Sequence, residues 1–234
     1  MTNSTKKKLT NLEKLLDYEF SSKNLLEQAL THRSYSSSNN ERLEFIGDSA
    51  LNLAITINLF NRIRVDDKLS EGEMSRFRSS LVCQEMLFKI AKKLTLNNFI
   101  LLGKGEIKGG GKSRPSIMAD TFEALIGGIL VDSDFFQVCR VVDSLFAPIL
   151  TSEYFEIPKK DPKSELQEIL QNKKLCLPEY TVLSKVGADH KQEFKVECLV
   201  LKLNIKSYGS GNSIKAAETD AAMKTLEIVK QKIP

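Results

Sequence analysis

Few of the residue types that announce cofactor or covalent chemistry are present. The 234 residues include only four cysteines, Cys83, Cys139, Cys176 and Cys198. They are widely separated and form no C-x-x-C pair, so neither a zinc site nor a disulfide framework is indicated. They read as reduced core residues of a cytoplasmic protein. The two histidines, His32 and His190, are too far apart to form a local metal motif, and neither imidazole is assigned to the chemistry. No G-x-x-x-x-G-K-[ST] loop occurs, which excludes a Walker-type triphosphate site. No uninterrupted apolar run reaches the ~20 residues that span a bilayer, because Asn52, Thr56 and Asn58 break the longest, so no membrane segment is expected. Lys6-Lys7-Lys8 lacks the apolar stretch that would follow in a signal peptide. Strong net charge is missing as well: at +4 the chain neither demands nor excludes a nucleic-acid partner, since a local patch matters more than the sum.

What is present is a patterned set of acids in apolar surroundings. Hydrophobic residues make up 41% of the chain, enough for a real core. In Asn40-Glu41-Arg42-Leu43-Glu44-Phe45-Ile46-Gly47-Asp48-Ser49-Ala50-Leu51, the acids Glu41, Glu44 and Asp48 stand three and four residues apart, so a helix would align them on one face. Acids so spaced usually make a solvated helix face. Here Leu43, Phe45, Ile46, Ala50, Leu51, Leu53, Ala54, Ile55 and Ile57 leave little polar surface, which predicts a largely buried helix. Buried carboxylates need a partner, and a multivalent hard cation, which prefers oxygen ligands, best offsets their repulsion. Gly47, which costs a helix ~1 kcal/mol relative to alanine, points to close packing against another helix, in the same chain or in a second subunit.

A second pair, Asp120 and Glu123, lies three apart in another apolar helix-like run, residues 116–130. Two such helices packed together would gather Glu44, Asp48, Asp120 and Glu123. That set suits Mg²⁺, with water and a substrate phosphate completing the shell, and suggests phosphate-ester chemistry.

With these residues the chain resembles bacterial ribonuclease III. The segment 40–51 is similar to that family's signature, and the other blocks follow in order: Thr31-His32-Arg33-Ser34, then Ser70-Glu71-Gly72-Glu73-Met74-Ser75-Arg76, then the glycine-rich residues 102–111, then the Asp120 and Glu123 helix. The resemblance implies a homodimeric, Mg²⁺-dependent endoribonuclease of double-stranded RNA, with Mn²⁺ as an alternative ion. It would leave 5′-phosphate ends and short 3′ overhangs, and act on ribosomal RNA precursors and other structured transcripts. Glu44, Asp120 and Glu123 would be direct metal ligands, and Asp48 would position the attacking water. Glu41 and Glu71 match acidic family positions outside this set, either beside RNA or in surface ion pairs.

The organisation expected is multidomain: an all-α endonuclease domain over residues 1–150, a linker over 151–160, and a small α+β domain over 161–234. In the first domain, residues 9–30 read as two helices, the second starting near Ser22. Ser70 and Glu73 form a capping box, and an apolar helical pattern runs from Met74 through Phe77, Leu81, Met86, Leu87, Ile90 and Leu94. Residues 103–111 read as a glycine-rich loop whose lysines either approach phosphate or simply decorate a connection. Phe135 to Leu150 closes the domain.

Beyond Pro162 a helix gives way to period-two alternation, with Phe194, Val196 and Cys198 on one face. Strands flank it on both sides. A final helix has Ile214, Ala217, Ala221, Thr225, Ile228 and Val229 inward. This α-β-β-β-α order resembles a double-stranded RNA-binding domain, and the resemblance implies three contact sites, at Gln167 and Glu168, at His190 and at Lys215. Residues 161–234 carry 12 lysines, no arginine and 10 acids, and the last helix opens with a single lysine, so weaker phosphate attraction is expected than in a strongly basic member. Two rival functions remain open: a non-catalytic RNA-binding protein of this fold, and a metal phosphohydrolase acting on small molecules.

Overall fold

The computed structural model describes residues 3–62, 70–150, 160–187 and 192–232, with the side chains of residues 3–8 left aside. The chain divides into two compact units between residues 158 and 159. Of the expected linker, only Lys160 falls among the described residues.

The first unit is helical: α1 (Asn3–Leu16), α2 (Lys23–Ala29), α3 (Glu41–Arg62), α4 (Glu71–Leu81), α5 (Gln84–Lys93), the short α6 (Lys104–Lys108), α7 (Pro115–Asp132) and α8 (Phe135–Leu150). At its centre α7 is buried almost all round, with Ile117, Met118, Phe122, Leu125, Ile126 and Ile129 inside. Pro115 starts it at the first helical position, where a missing N–H costs nothing. Its last residue, Asp132, would oppose the helix dipole. It is offset by three donors from the turn between α1 and α2: Tyr18 Oη at 2.8 Å, Ser21 N at 2.7 Å and Ser22 N at 2.9 Å.

Helix α3 lies against α7 with backbone touching backbone. A Cβ on Gly47 would fall 1.9 Å from the Glu123 carbonyl oxygen, and one on Gly127 2.0 Å from that of Leu43. The neighbour that requires Gly47 is therefore in the same chain. The expectation of a largely buried α3 also needs correcting. Leu43, Ala50, Leu51, Ala54, Ile55 and Leu59 are buried, but Phe45 is 81% exposed, Leu53 50% and Phe60 75%. By length and composition α3 is apolar enough to cross a bilayer, contrary to the argument from uninterrupted runs. Packing buries 39% of that apolar window, with α7 and α8 as neighbours, and an exposed apolar face carries much of the rest.

The capping box at Ser70 and Glu73 forms as expected, with Ser70 N–H donating to Glu73 Oε2 at 2.8 Å and Glu73 N–H to Ser70 Oγ at 3.3 Å. The pattern from Met74 to Leu94 is two helices rather than one, because Cys83 is extended and starts α5. Six residues separate the buried Leu81 and Leu87, out of phase with a 3.6-residue turn, and the break resets the phase. The glycine-rich segment is ordered into α6 and a short 3₁₀ turn, Gly111–Ser113.

The second unit runs α9 (Pro162–Asn172), β1 (Glu179–Val186), β2 (Glu193–Val200), β3 (Ile205–Gly211) and α10 (Ile214–Lys232), an antiparallel sheet in the order β1-β2-β3. Val196, Cys198 and Val200 are buried, and Cys198 and Val200 join a core with Leu166 and Leu170 of α9 and Ala221, Ala222, Leu226 and Val229 of α10. Ser207 and Thr225 share a buried hydrogen bond of 2.6 Å, and both donate to the Ala221 carbonyl or to each other, so neither hydroxyl is left unpaired. Two expectations fail here. Ile214 is 44% exposed, because it opens α10 before the helix reaches the sheet. Of the four cysteines only Cys198 is buried, while Cys83 and Cys176 are exposed at element boundaries.

Gly47→Ala should cost at least ~2 kcal/mol of stability, because overpacking against immobile backbone outweighs the better helix propensity of alanine. Gly105→Ala, where an added Cβ meets nothing within 4 Å, is the control. Thermal melts of the two variants that coincide would show that the α3–α7 contact is not close-packed.

Candidate active site

The glycine contact brings acids of two helices to one place. One ligand oxygen each from Glu44, Asp120 and Glu123 lie within 4.8 Å of one another, all half-buried. Asp48, one turn beyond Glu44, stands at the exposed edge of this group, where Asn52 Nδ2 donates to its Oδ1 at 2.9 Å. It is not one of the three clustered ligands, yet its charge bears on both Glu44 and Glu123.

Burial first, and then the charges of Asp48, Asp120 and Glu44, push the Glu123 carboxyl up to about 7. Glu44 is raised by burial and by Asp120, Glu41 and Asp48, with Arg33 pulling the other way. Asp120 is raised by burial against the opposing pull of His32 and Arg33. An all-oxygen, mutually repelling donor set of this kind fits a hard divalent cation, whose charge relieves the repulsion.

Glu44 and Asp120 line a cleft of about 510 Å³, whose other wall includes His32, Arg33 and Arg114. Glu41 sits in the same wall, paired with Arg33 at 3.3 Å, so it lies beside the cluster and in an ion pair at once. Glu71 is elsewhere: it is the first residue of α4, exposed, accepts from Ser75 Oγ at 2.9 Å and faces a separate small recess with Phe60 and Arg78. In the second unit Gln167 and Glu168 are exposed on α9, Glu168 being ion-paired with Lys160, and Lys215 is exposed in the first turn of α10. His190 lies outside the described residues.

Sequence reasoning left His32 without a role in the chemistry and read Arg114 only as one of the basic side chains of the glycine-rich segment, able to approach phosphate or simply part of a connection. Both are cleft residues, and neither belongs to an acidic pattern or a metal-ligand spacing. The signal available was positional: Arg114 stands directly before α7, and His32 lies in the connection that leads into α3.

The raised Glu123 carboxyl has a consequence for stability. The folded state holds a proton that the unfolded chain releases above 4.5, so this group favours folding at low pH, and the contribution is lost as pH rises through about 7. In chelator-treated protein Glu123→Gln should therefore raise the melting temperature at about pH 8 and leave it nearly unchanged at about pH 5. A melting curve equally shifted at both pH values would show that Glu123 does not titrate in that window.

Known proteins match the chain along nearly its whole length. A family model described as Ribonuclease-III-like matches residues 22–150, and one described as Double-stranded RNA binding motif matches residues 162–229. The Ribonuclease 3 of Cupriavidus pinatubonensis is 45% identical over 226 residues, 97% of this chain and 87% of its own. That of Aromatoleum aromaticum is 46% identical over 92% of this chain and 94% of its own. Among solved structures, the nuclease domain of ribonuclease III from Campylobacter jejuni aligns with a TM-score of 0.58 and 40% identity, covering 65% of this chain and 99% of that one. A second structure of that domain, whose title concerns flexibility in a region involved in dimer formation, aligns with a TM-score of 0.54 and 42% identity over 58% of this chain and 97% of that one. With its helical nuclease unit, its acidic cleft and its α-β-β-β-α unit in the family's order, this chain belongs to the ribonuclease III family.

Proposed function

We propose that Glu44, Asp120 and Glu123 hold Mg²⁺ for the endonucleolytic hydrolysis of double-stranded RNA that this chain performs, and that Asp48 orients the attacking water. The observation that carries this reading is the approach of three carboxylate oxygens to within 4.8 Å, on a chain whose second unit matches a duplex-RNA binding motif. When bound, the cation would supply charge neutralisation at the scissile phosphate and activation of water. The protein's own part is positional. The backbone contact of α3 and α7 sets the distance between Glu44 and the Asp120 and Glu123 pair. Asn52 holds Asp48 at the edge, where a water can be reached from solvent. Arg33 and Arg114 line the facing wall and favour an anionic strand there.

In the second unit, Gln167 and Glu168 on α9 and Lys215 at the start of α10 are assigned to the duplex, with His190 assigned from sequence alone. Glu41, in the cleft wall, is placed near the strand, and Glu71 near RNA outside the cleft. The reading places the enzyme in the cytoplasm.

The exposed stripe of α3 supports a homodimer. Phe45, Leu53, Ile57 and Phe60 recur at helical spacing on a face that the chain itself leaves open. A segment of the Campylobacter jejuni nuclease domain is described as involved in dimer formation, which favours the same use of the nuclease unit here.

Glu123→Gln preserves shape while removing one ligand charge, so it should keep the fold and duplex binding while lowering cleavage at ordinary Mg²⁺ by at least ~100-fold. Cleavage of a labelled RNA duplex at the wild-type rate would remove Glu123 from the site. Sedimentation tests the second part: Leu53→Glu, which puts a charge into the apolar face, should convert the dimer to monomer at micromolar concentration. A Leu53→Glu protein that still sediments as a dimer would place the interface elsewhere.

A further inference from the structure

Residues 31–34, between α2 and α3, are pinned to residues 101–103. Leu101 N–H donates to Leu30 O at 2.9 Å, His32 N–H to Leu101 O at 3.0 Å, and Asn40 N–H to Thr31 O at 2.9 Å. A Cβ on Gly103 would lie 2.2 Å from the Ser34 carbonyl oxygen, so only glycine lets the two segments meet. At this junction Gly103 N–H donates to Ser34 Oγ at 3.0 Å. The hydroxyl, having accepted there, has its own hydrogen to give, and His32 Nδ1 lies 2.8 Å away. Ser34 N–H points at the same ring nitrogen, at 3.2 Å. With two donors directed at it, Nδ1 serves as the acceptor, and a ring proton sits on Nε2.

The ring so oriented is half-buried and lines the cleft beside Glu44 and Asp120. Its Nε2–H has no hydrogen-bond partner among the described residues. The cations of that wall are committed: Arg33 to Glu41 at 3.3 Å and Arg114 to Glu106 at 2.5 Å. His32 thus offers an oriented, uncommitted donor in the cleft, and holding it that way uses two hydrogen bonds and a glycine.

Resting on the nuclease reading, we propose that His32 is a substrate-contacting residue of this cleft, donating its Nε2–H to a phosphate oxygen of the RNA strand bound there. Ser34 and Gly103 are positioning residues that fix its tautomer and direction.

Three variants separate this role from a loop-bracing one. His32→Asn keeps a polar atom near the place of Nδ1 and loses the distal donor. His32→Gln sets an amide nitrogen near the place of Nε2, and His32→Ala removes both. Cleavage of one labelled RNA duplex with Mg²⁺ is measured for each, with melting temperatures taken alongside. The expected result is a loss of about 10- to 100-fold in kcat/KM for Ala and Asn, the size of one hydrogen bond to a charged oxygen, with most of it restored in Gln and the Asn fold intact. An Asn variant as active as the wild type overturns the proposal. So does an equal loss in all three variants, which would make the ring a brace for the loop. A wild-type protein that leaves the duplex uncut sinks the nuclease reading itself, an outcome distinct from either of these.

Discussion

Everything in the nuclease unit depends on two helices meeting backbone to backbone. At Gly47 and Gly127 the axes of α3 and α7 come as close as main chains allow, and that approach forces Glu44 against Asp120 and Glu123. Nothing about the acids favours the arrangement, since burial raises all three carboxyls and the neighbouring acids raise Glu44 and Glu123 further. For Glu123 the penalty is on the order of a few kcal/mol when the group is charged. The opposing term is larger: α7 buries Ile117, Met118, Phe122, Leu125, Ile126 and Ile129, each contributing roughly 1.5–3 kcal/mol. The core pays for the site, which is why the most apolar helix of the unit is the one that carries two of its carboxylates.

Local spacing was legible in the sequence, and tertiary approach was not. The three- and four-residue intervals placed Glu41, Glu44 and Asp48 on one side of a helix, and Ser22, the Ser70 capping box and Pro162 marked where helices begin. The pattern of α3 could not say which apolar residues turn inward. Phe45 and Phe60 look like core by composition, yet they lie on the face that α7 and α8 do not reach. Gly47 signalled a close neighbour without naming it, because a missing Cβ carries no information about its partner. His32 was invisible for a related reason: its role follows from a ring nitrogen satisfied by Ser34 and from a glycine about seventy residues away in sequence, and no local periodicity records such a junction.

In the second unit some of the charges serve the fold. Lys163 pairs with Glu218 at 2.6 Å, Lys224 with Asp220 at 2.8 Å and Lys230 with Glu165 at 2.6 Å. Lys163 also stands over the Tyr180 ring, at 4.5 Å from its centroid, tying α9, β1 and α10 together. Lys215 has no ion-pair partner among the described residues and is the only lysine in the first turn of α10. Because Lys163 neutralises Glu218, an acid one turn further along, that turn does not repel a phosphate despite its composition.

The same economy of positive charge governs the cleft. Four carboxylates at a site meant for a polyanion would repel it, and Arg33 and Arg114, each already paired with a glutamate, offset only part of that field. The unneutralised site would therefore disfavour phosphate, and Glu44, Asp120 and Glu123, were they to hold a divalent cation, would have two of their charges offset by it. On the proposed reading, repulsion among the acids would favour the ion and the ion would favour the strand, which would couple metal and RNA by charge. A fully basic wall would dispense with that coupling and admit RNA to a cleft unable to cleave it.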